Sequence, residues 1–163
     1  MPFPIAALVP TTAAGVGHGG FVFTHDGWAI RAYFEETHQD YDGLIYLTGA
    51  KTGTFEQFRS HERCLAIAAD YRTVIEYTGA PCPPSKAIPR ASLAIHDAGH
   101  YIVSRLRDAM YLTKLDGLEA TGVNGTYLFH FDKWEVSIID ANSARVGDGP
   151  LFAVEAARST ADV

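Results

Sequence analysis

The chain has 163 residues, a formal net charge of −6 and a hydrophobic content of 47%. That length predicts one domain able to bury a real core, and the acidic balance with scattered Lys and Arg argues against nucleic acid or an anionic membrane surface as a partner. Cys64 and Cys82 are too few, and too unlike a ligand pair in spacing, for a disulfide framework or a zinc ribbon, so they read as reduced thiols of a cytoplasmic protein.

The apolar stretch from Phe3 to Val9 is short, lacks a basic flank and is interrupted by Pro2, Pro4 and Pro10, which makes it a poor signal peptide. No stretch approaches the ~18–20 apolar residues of a membrane helix. Gly15, Gly17 and Gly20 formally spell a dinucleotide fingerprint, but that motif must open a helix, and Phe21-Val-Phe-Thr reads as a strand. The segment is therefore expected to be a turn.

Residues 21–34 predict a hairpin around His25-Asp26-Gly27, from their aromatic and β-branched content and the Asp-Gly corner. A short strand is expected at Leu44–Leu47. Thr54 and Gln57 form a capping box, and Phe55, Phe58, Leu65, Ala68, Ala69 and Ile75 recur at helical spacing, so a long helix is expected from Phe55 to Tyr77. The proline-rich run 81–89 ends it as a stiff connector. A second long helix is expected from Ala91 to Leu112. Beyond it, Thr126–Phe131, Trp134–Ile139 and Leu151–Val154 predict strands. The expected class is α+β: N-terminal strands, two long helices, then C-terminal antiparallel strands.

The most informative run is Ile95-His-Asp-Ala-Gly-His-Tyr-Ile-Val103. On a helix, His96 and His100 at i, i+4 project from one face, one turn apart, as two metal ligands require. They lie at the border between an apolar arc (Ile95, Ala98, Ile102, Leu106) and a polar one (Asp97, Tyr101, Arg105, Asp108). Gly99 costs helix stability and implies a neighbour packed very close.

This run resembles the I-H-E-A-G-H helix of the peptidase domain of membrane-bound AAA proteases, which are zinc metallopeptidases. The resemblance covers about residues 91–128. It implies that His96 and His100 bind zinc and that Asp97 acts as the base on a peptide or protein substrate. Asp in place of Glu draws the carboxylate back by roughly 1–1.5 Å, enough to impair catalysis. The third ligand would come from downstream, with Glu119 ranked first and His130 second; Asp132, Glu135 and Asp140 are also available.

Two other readings fit the same residues. The His96-Asp97 doublet, with His61 upstream and Asp140 downstream, also resembles the HD phosphohydrolases, in which Asp97 would itself be a ligand for a harder metal. In a non-enzymatic reading, the histidines only pack, and the aromatic strands serve a core or a partner surface.

Overall fold

The computed structural model describes residues 4–36, 39–59, 61–85, 87–96, 99–117, 120–122 and 127–157. Among these, the regular structure is β throughout, apart from two 3-10 turns at Ile5–Ala7 and Ala13–Gly15. The expected α+β class with two long helices is therefore corrected to an antiparallel β fold. Among the described residues, no helix is long and apolar enough to cross a membrane.

The strands in chain order are β1 (Leu8–Thr12), β2 (Phe21–Thr24), β3 (Gly27–Glu36), β4 (Gln39–Tyr46), β5 (Phe55–Gln57), β6 (Arg63–Ile67) and β7 (Arg72–Tyr77). They continue with β8 (Leu93–His96), β9 (Gly99–Leu106), β10 (Ala109–Lys114), β11 (Ala120–Gly122), β12 (Phe129–Phe131), β13 (Lys133–Ile139) and β14 (Phe152–Glu155). Three sheets result, with orders β1-β6-β2-β3-β4-β5, β11-β10-β9-β8-β12 and β14-β13-β7. The hairpin at residues 21–34 is present as β2 and β3, with Thr24 opposite Gly27. The C-terminal strands do not pair as one unit: β12 joins β8, while β13 lies between β7 and β14. Pro10 sits in β1, an edge strand.

The two expected helices fail for different reasons. Over 55–77 the apolar residues at helical spacing are split between three separate strands (Phe55, Leu65, Ile75) and the connections between them (Phe58, Ala68, Ala69), and β6 buries alternate residues, Cys64 and Ala66. In β7, Thr73, Val74 and Ile75 form a β-branched run, which suits a pleated strand better than a helix. Over 91–112 the alternation is hidden because β8 and β9 are buried on both faces. Leu93 and Ile102 enter one cluster, while Ala94 and Val103 enter another. A doubly buried strand reads as a continuous apolar run, and periodicity alone cannot separate it from a buried helix. The chain turns between β9 and β10 at Arg107-Asp108, with Arg107 at φ 54°.

All three sheets contribute to one central cluster. Phe21, Trp28, Ile30 and Phe34 come from the first sheet, Leu93 and Ile102 from the second, and Trp134, Val136 and Phe152 from the third. Trp28 stacks on Phe152 at 4.7 Å between ring centroids, and Phe34 stacks on Phe55 at 4.5 Å. Trp134 is fully buried, and its indole N–H donates to the Ala91 carbonyl at 2.9 Å. Ala91 is itself buried with φ 65°, and its N–H donates to Val103 at 2.7 Å.

On the surface of the first sheet, Arg31 forks onto Asp42 at 3.2 and 2.7 Å and also donates to the Ala14 and Val16 carbonyls. Burial raises the Asp42 pKa, but the bonds and charge of Arg31, with His18, outweigh it and hold the carboxyl below its ordinary range. The clamp fixes the glycine-rich segment 13–20 against β3 and β4.

Trp134→Phe removes the indole from this junction and leaves the Ala91 carbonyl without its donor. The expected cost is about 2–4 kcal/mol, read as a lower urea midpoint with an unchanged slope.

Candidate metal centre

The strand structure redistributes the predicted ligands. In the β8–β9 hairpin, His96 lies opposite Gly99, and His100 lies opposite Ile95. Residues directly opposite share a face, and successive residues alternate. His100 therefore shares a face with Ile95 and Ile102, whereas His96 shares the other with Ala94 and Tyr101. The His96 ring meets the Tyr101 ring edge-on at 5.6 Å. His100 Nε2 hydrogen-bonds the Tyr77 hydroxyl from the third sheet. The hairpin thus sends the two imidazoles to opposite sides and does not offer them to one ion. The close neighbour of Gly99 is the Tyr101 ring, 3.0 Å from where a Cβ would stand.

Asp97 and Glu119 lie outside the described residues. Glu135 pairs with Glu76 and Ala153 on β13. Asp140 caps a turn, its Oδ1 accepting the Asn142 and Ala144 N–H groups at 2.8 and 2.9 Å. His61 is exposed in the connection between β5 and β6.

His130 takes a different position. It pairs with Ala94 on one side, and on the other it forms an isolated antiparallel bridge with Cys82. Cys82 N–H donates to the His130 carbonyl at 2.7 Å, and His130 N–H returns the bond at 3.0 Å. This exchange sets the two side chains on one face. Alternation then brings Asp132, two residues on, to the same side. Among the described residues, Cys82, His130 and Asp132 are the one group of three His, Cys, Asp or Glu whose ligand atoms all lie within 4.8 Å of one another.

The surroundings hold these groups in place. His130 is 4% exposed and packs edge-on against Tyr127 at 5.8 Å. The Tyr127 hydroxyl accepts the Ser85 N–H at 2.7 Å and donates to the Ser85 carbonyl at 3.1 Å, tying the proline-rich segment to this face. Asp132 Oδ1 accepts from the buried Ser92 hydroxyl at 2.9 Å and lies 3.3 Å from His130 Nε2. His130 Nδ1 is buried and makes no hydrogen bond among the described residues. Burial pushes the imidazole below the usual histidine range, with the Asp132 charge opposing only in part. The ring is therefore neutral, the form in which histidine binds a metal.

The donor set of one thiol, one imidazole and one carboxylate suits zinc. A tetrahedral zinc holds its ligand atoms about 3.3–3.8 Å apart, and these three already lie within 4.8 Å of one another. His130 and Asp132 were legible as candidates. Cys82 was not, because it stands among Pro81, Pro83 and Pro84, outside any periodic element. The findable signal was His130-x-Asp132 on a strand, which places both side chains on one face. The second cysteine, Cys64, is buried in the first sheet, and burial raises its thiol pKa.

The metal-free protein should carry a pH signature of His130. Its folded pKa lies below the ordinary 6.5, so the unfolded chain binds the extra proton between those two values. The stabilisation is complete above about 6.5, falls as pH drops through that window and levels off below the folded pKa. Urea midpoints measured from pH 7.5 to pH 4.5 should show this fall, and His130→Gln should flatten it.

Compared with known proteins, the chain matches no family model, no curated protein and no solved structure.

Proposed function

We propose that this chain is a zinc-binding protein whose ion is held by Cys82, His130 and Asp132. The observation that carries the reading is the convergence of three ligand-type side chains on one face. The zinc expected from the sequence is retained, and so is His130 as a ligand. The role expected of His96 and His100 passes to Cys82 and Asp132, since the hairpin separates those two imidazoles.

Three protein ligands leave a fourth coordination position for water, the composition found in catalytic rather than structural zinc sites. Metal-assisted hydrolysis is therefore the activity this reading favours: Cys82, His130 and Asp132 would hold the ion, and the ion would supply a water ionised to hydroxide near neutral pH. The half-buried Cys82 and the partly exposed Asp132 carboxylate open the centre to solvent on one side.

The test is metal analysis of untagged protein, with cobalt as a spectroscopic substitute. About one zinc per chain is expected, and cobalt should give a thiolate charge-transfer band. Zinc at a hundredfold excess over its dissociation constant should raise stability by about 2.7 kcal/mol. Cys82→Ser and His130→Ala should each weaken binding at least about tenfold, while His96→Ala and His100→Ala leave it unchanged. Loss of metal in the last two variants, or retention in the first two, would sink the proposal.

A further inference from the structure

A second site lies on the opposite side of the β8–β9 hairpin from the metal centre. A cleft of about 390 Å³ opens where the three sheets meet, lined by Gly19, Phe21, Thr73, Ile75, Tyr77, His100 and Leu115. Thr73, Ile75 and Tyr77 alternate along β7 and so share its inward face. β7 is an end strand of its sheet, and the cleft runs beside it.

The walls are fixed in advance of any ligand. Gly19 N–H donates to the Arg31 carbonyl at 2.7 Å, and Arg31 is clamped by Asp42. Gly19 has φ 82°, and a Cβ there would stand 2.7 Å from the Asp116 backbone, so only glycine fits this contact. Leu115 N–H donates to the His100 carbonyl at 3.0 Å, joining two further lining residues. Tyr77 stacks on Phe131 at 4.2 Å and bonds His100. Preorganised walls reduce the ordering cost of binding.

The lining divides by chemistry. Phe21, Ile75 and Leu115 supply an apolar surface. Thr73, Tyr77 and His100 supply hydroxyl and imidazole groups, and the Tyr77–His100 pair is open to solvent. Among the described residues that line the cleft none is Asp, Glu, Lys or Arg, so a charged ligand would lose its hydration without gaining a counter-ion from them. If His100 donates to the phenol oxygen, the Tyr77 O–H is left to donate onward, polarised by the bond it accepts. The Thr73 hydroxyl is a second donor. The volume falls in the lower part of the range for small-molecule pockets, which pair an apolar wall with a few polar groups.

We propose that this cleft binds a small uncharged molecule bearing a carbonyl oxygen on a ring or short-chain body, independently of the metal. The carbonyl accepts from Tyr77, and the body lies against Phe21, Ile75 and Leu115, along β7 toward Thr73.

The probe is acetophenone, compared with benzoate, which adds charge, and ethylbenzene, which lacks the oxygen. Amide chemical shifts and ligand saturation transfer are recorded on the full chain. Acetophenone should bind in the millimolar range or tighter, with shifts centred on Phe21, Thr73, Ile75 and Leu115. Benzoate and ethylbenzene should bind more weakly, Tyr77→Phe should weaken acetophenone roughly two- to tenfold, and Ile75→Trp should block it. Cys82→Ser should leave acetophenone binding unchanged, which separates this site from the zinc reading. The proposal is overturned if acetophenone shifts none of these residues, if benzoate binds as well, or if neither Tyr77→Phe nor Ile75→Trp weakens binding in a well-dispersed, folded spectrum.

Discussion

The bond from the Trp134 indole to the Ala91 carbonyl joins two sheets that otherwise have separate hydrogen-bond ladders. Trp134 stands on the middle strand of the three-stranded sheet, and Ala91 precedes β8 and bonds across to Val103 in β9. A buried indole strongly favours a partner for its N–H, and here that partner can be met only when the two sheets are correctly placed. The apolar ring fills the junction while its polar edge specifies the alignment. The positions of β8 and β12, and hence of the candidate metal site and the cleft, are referred back to this contact.

The two proposed sites follow from one property of the second sheet: both its faces are covered or functional. One face carries Ala94, Val103, Leu112 and Tyr127, with His130 and Cys82 at its margin. The other carries Leu93 and Ile102 inward and His100 toward β7. Alternation distributes neighbouring histidines to different environments, each with its own aromatic neighbour. Residues one helical turn apart in imagination become residues on opposite sides of a sheet. A single error in secondary structure therefore reassigns every ligand vector.

Much of the strand content was legible where only one face is buried or where a turn announces itself. Phe21 to Phe34 displayed aromatic and β-branched residues around Asp26-Gly27, and Trp134 to Ile139 alternated openly. The failures came where the signal was ambiguous in principle. Leu93, Ala94, Ile102 and Val103 are all apolar because each faces a packed cluster, which removes the polar half of a strand's pattern. Phe55, Leu65 and Ile75 fell at helical intervals only because they were counted across three separate strands. For the site, His130 and Asp132 could be named from their types, but their union with Cys82 depends on a bridge between residues 48 positions apart. No local window contains that pairing.

The edges of the sheets bear on how the molecule behaves in company. Pro10 deprives β1 of a donor, and β5 is only three residues long, so these borders offer little to an incoming strand. β7 is different. It has six residues and no proline, with Val74 and Tyr77 exposed at 37% and 45%. The border that gives the cleft its accessible wall is thus also a border open to pairing with a second polypeptide. Accessibility for a small ligand and an open pairing edge are properties of the same six residues.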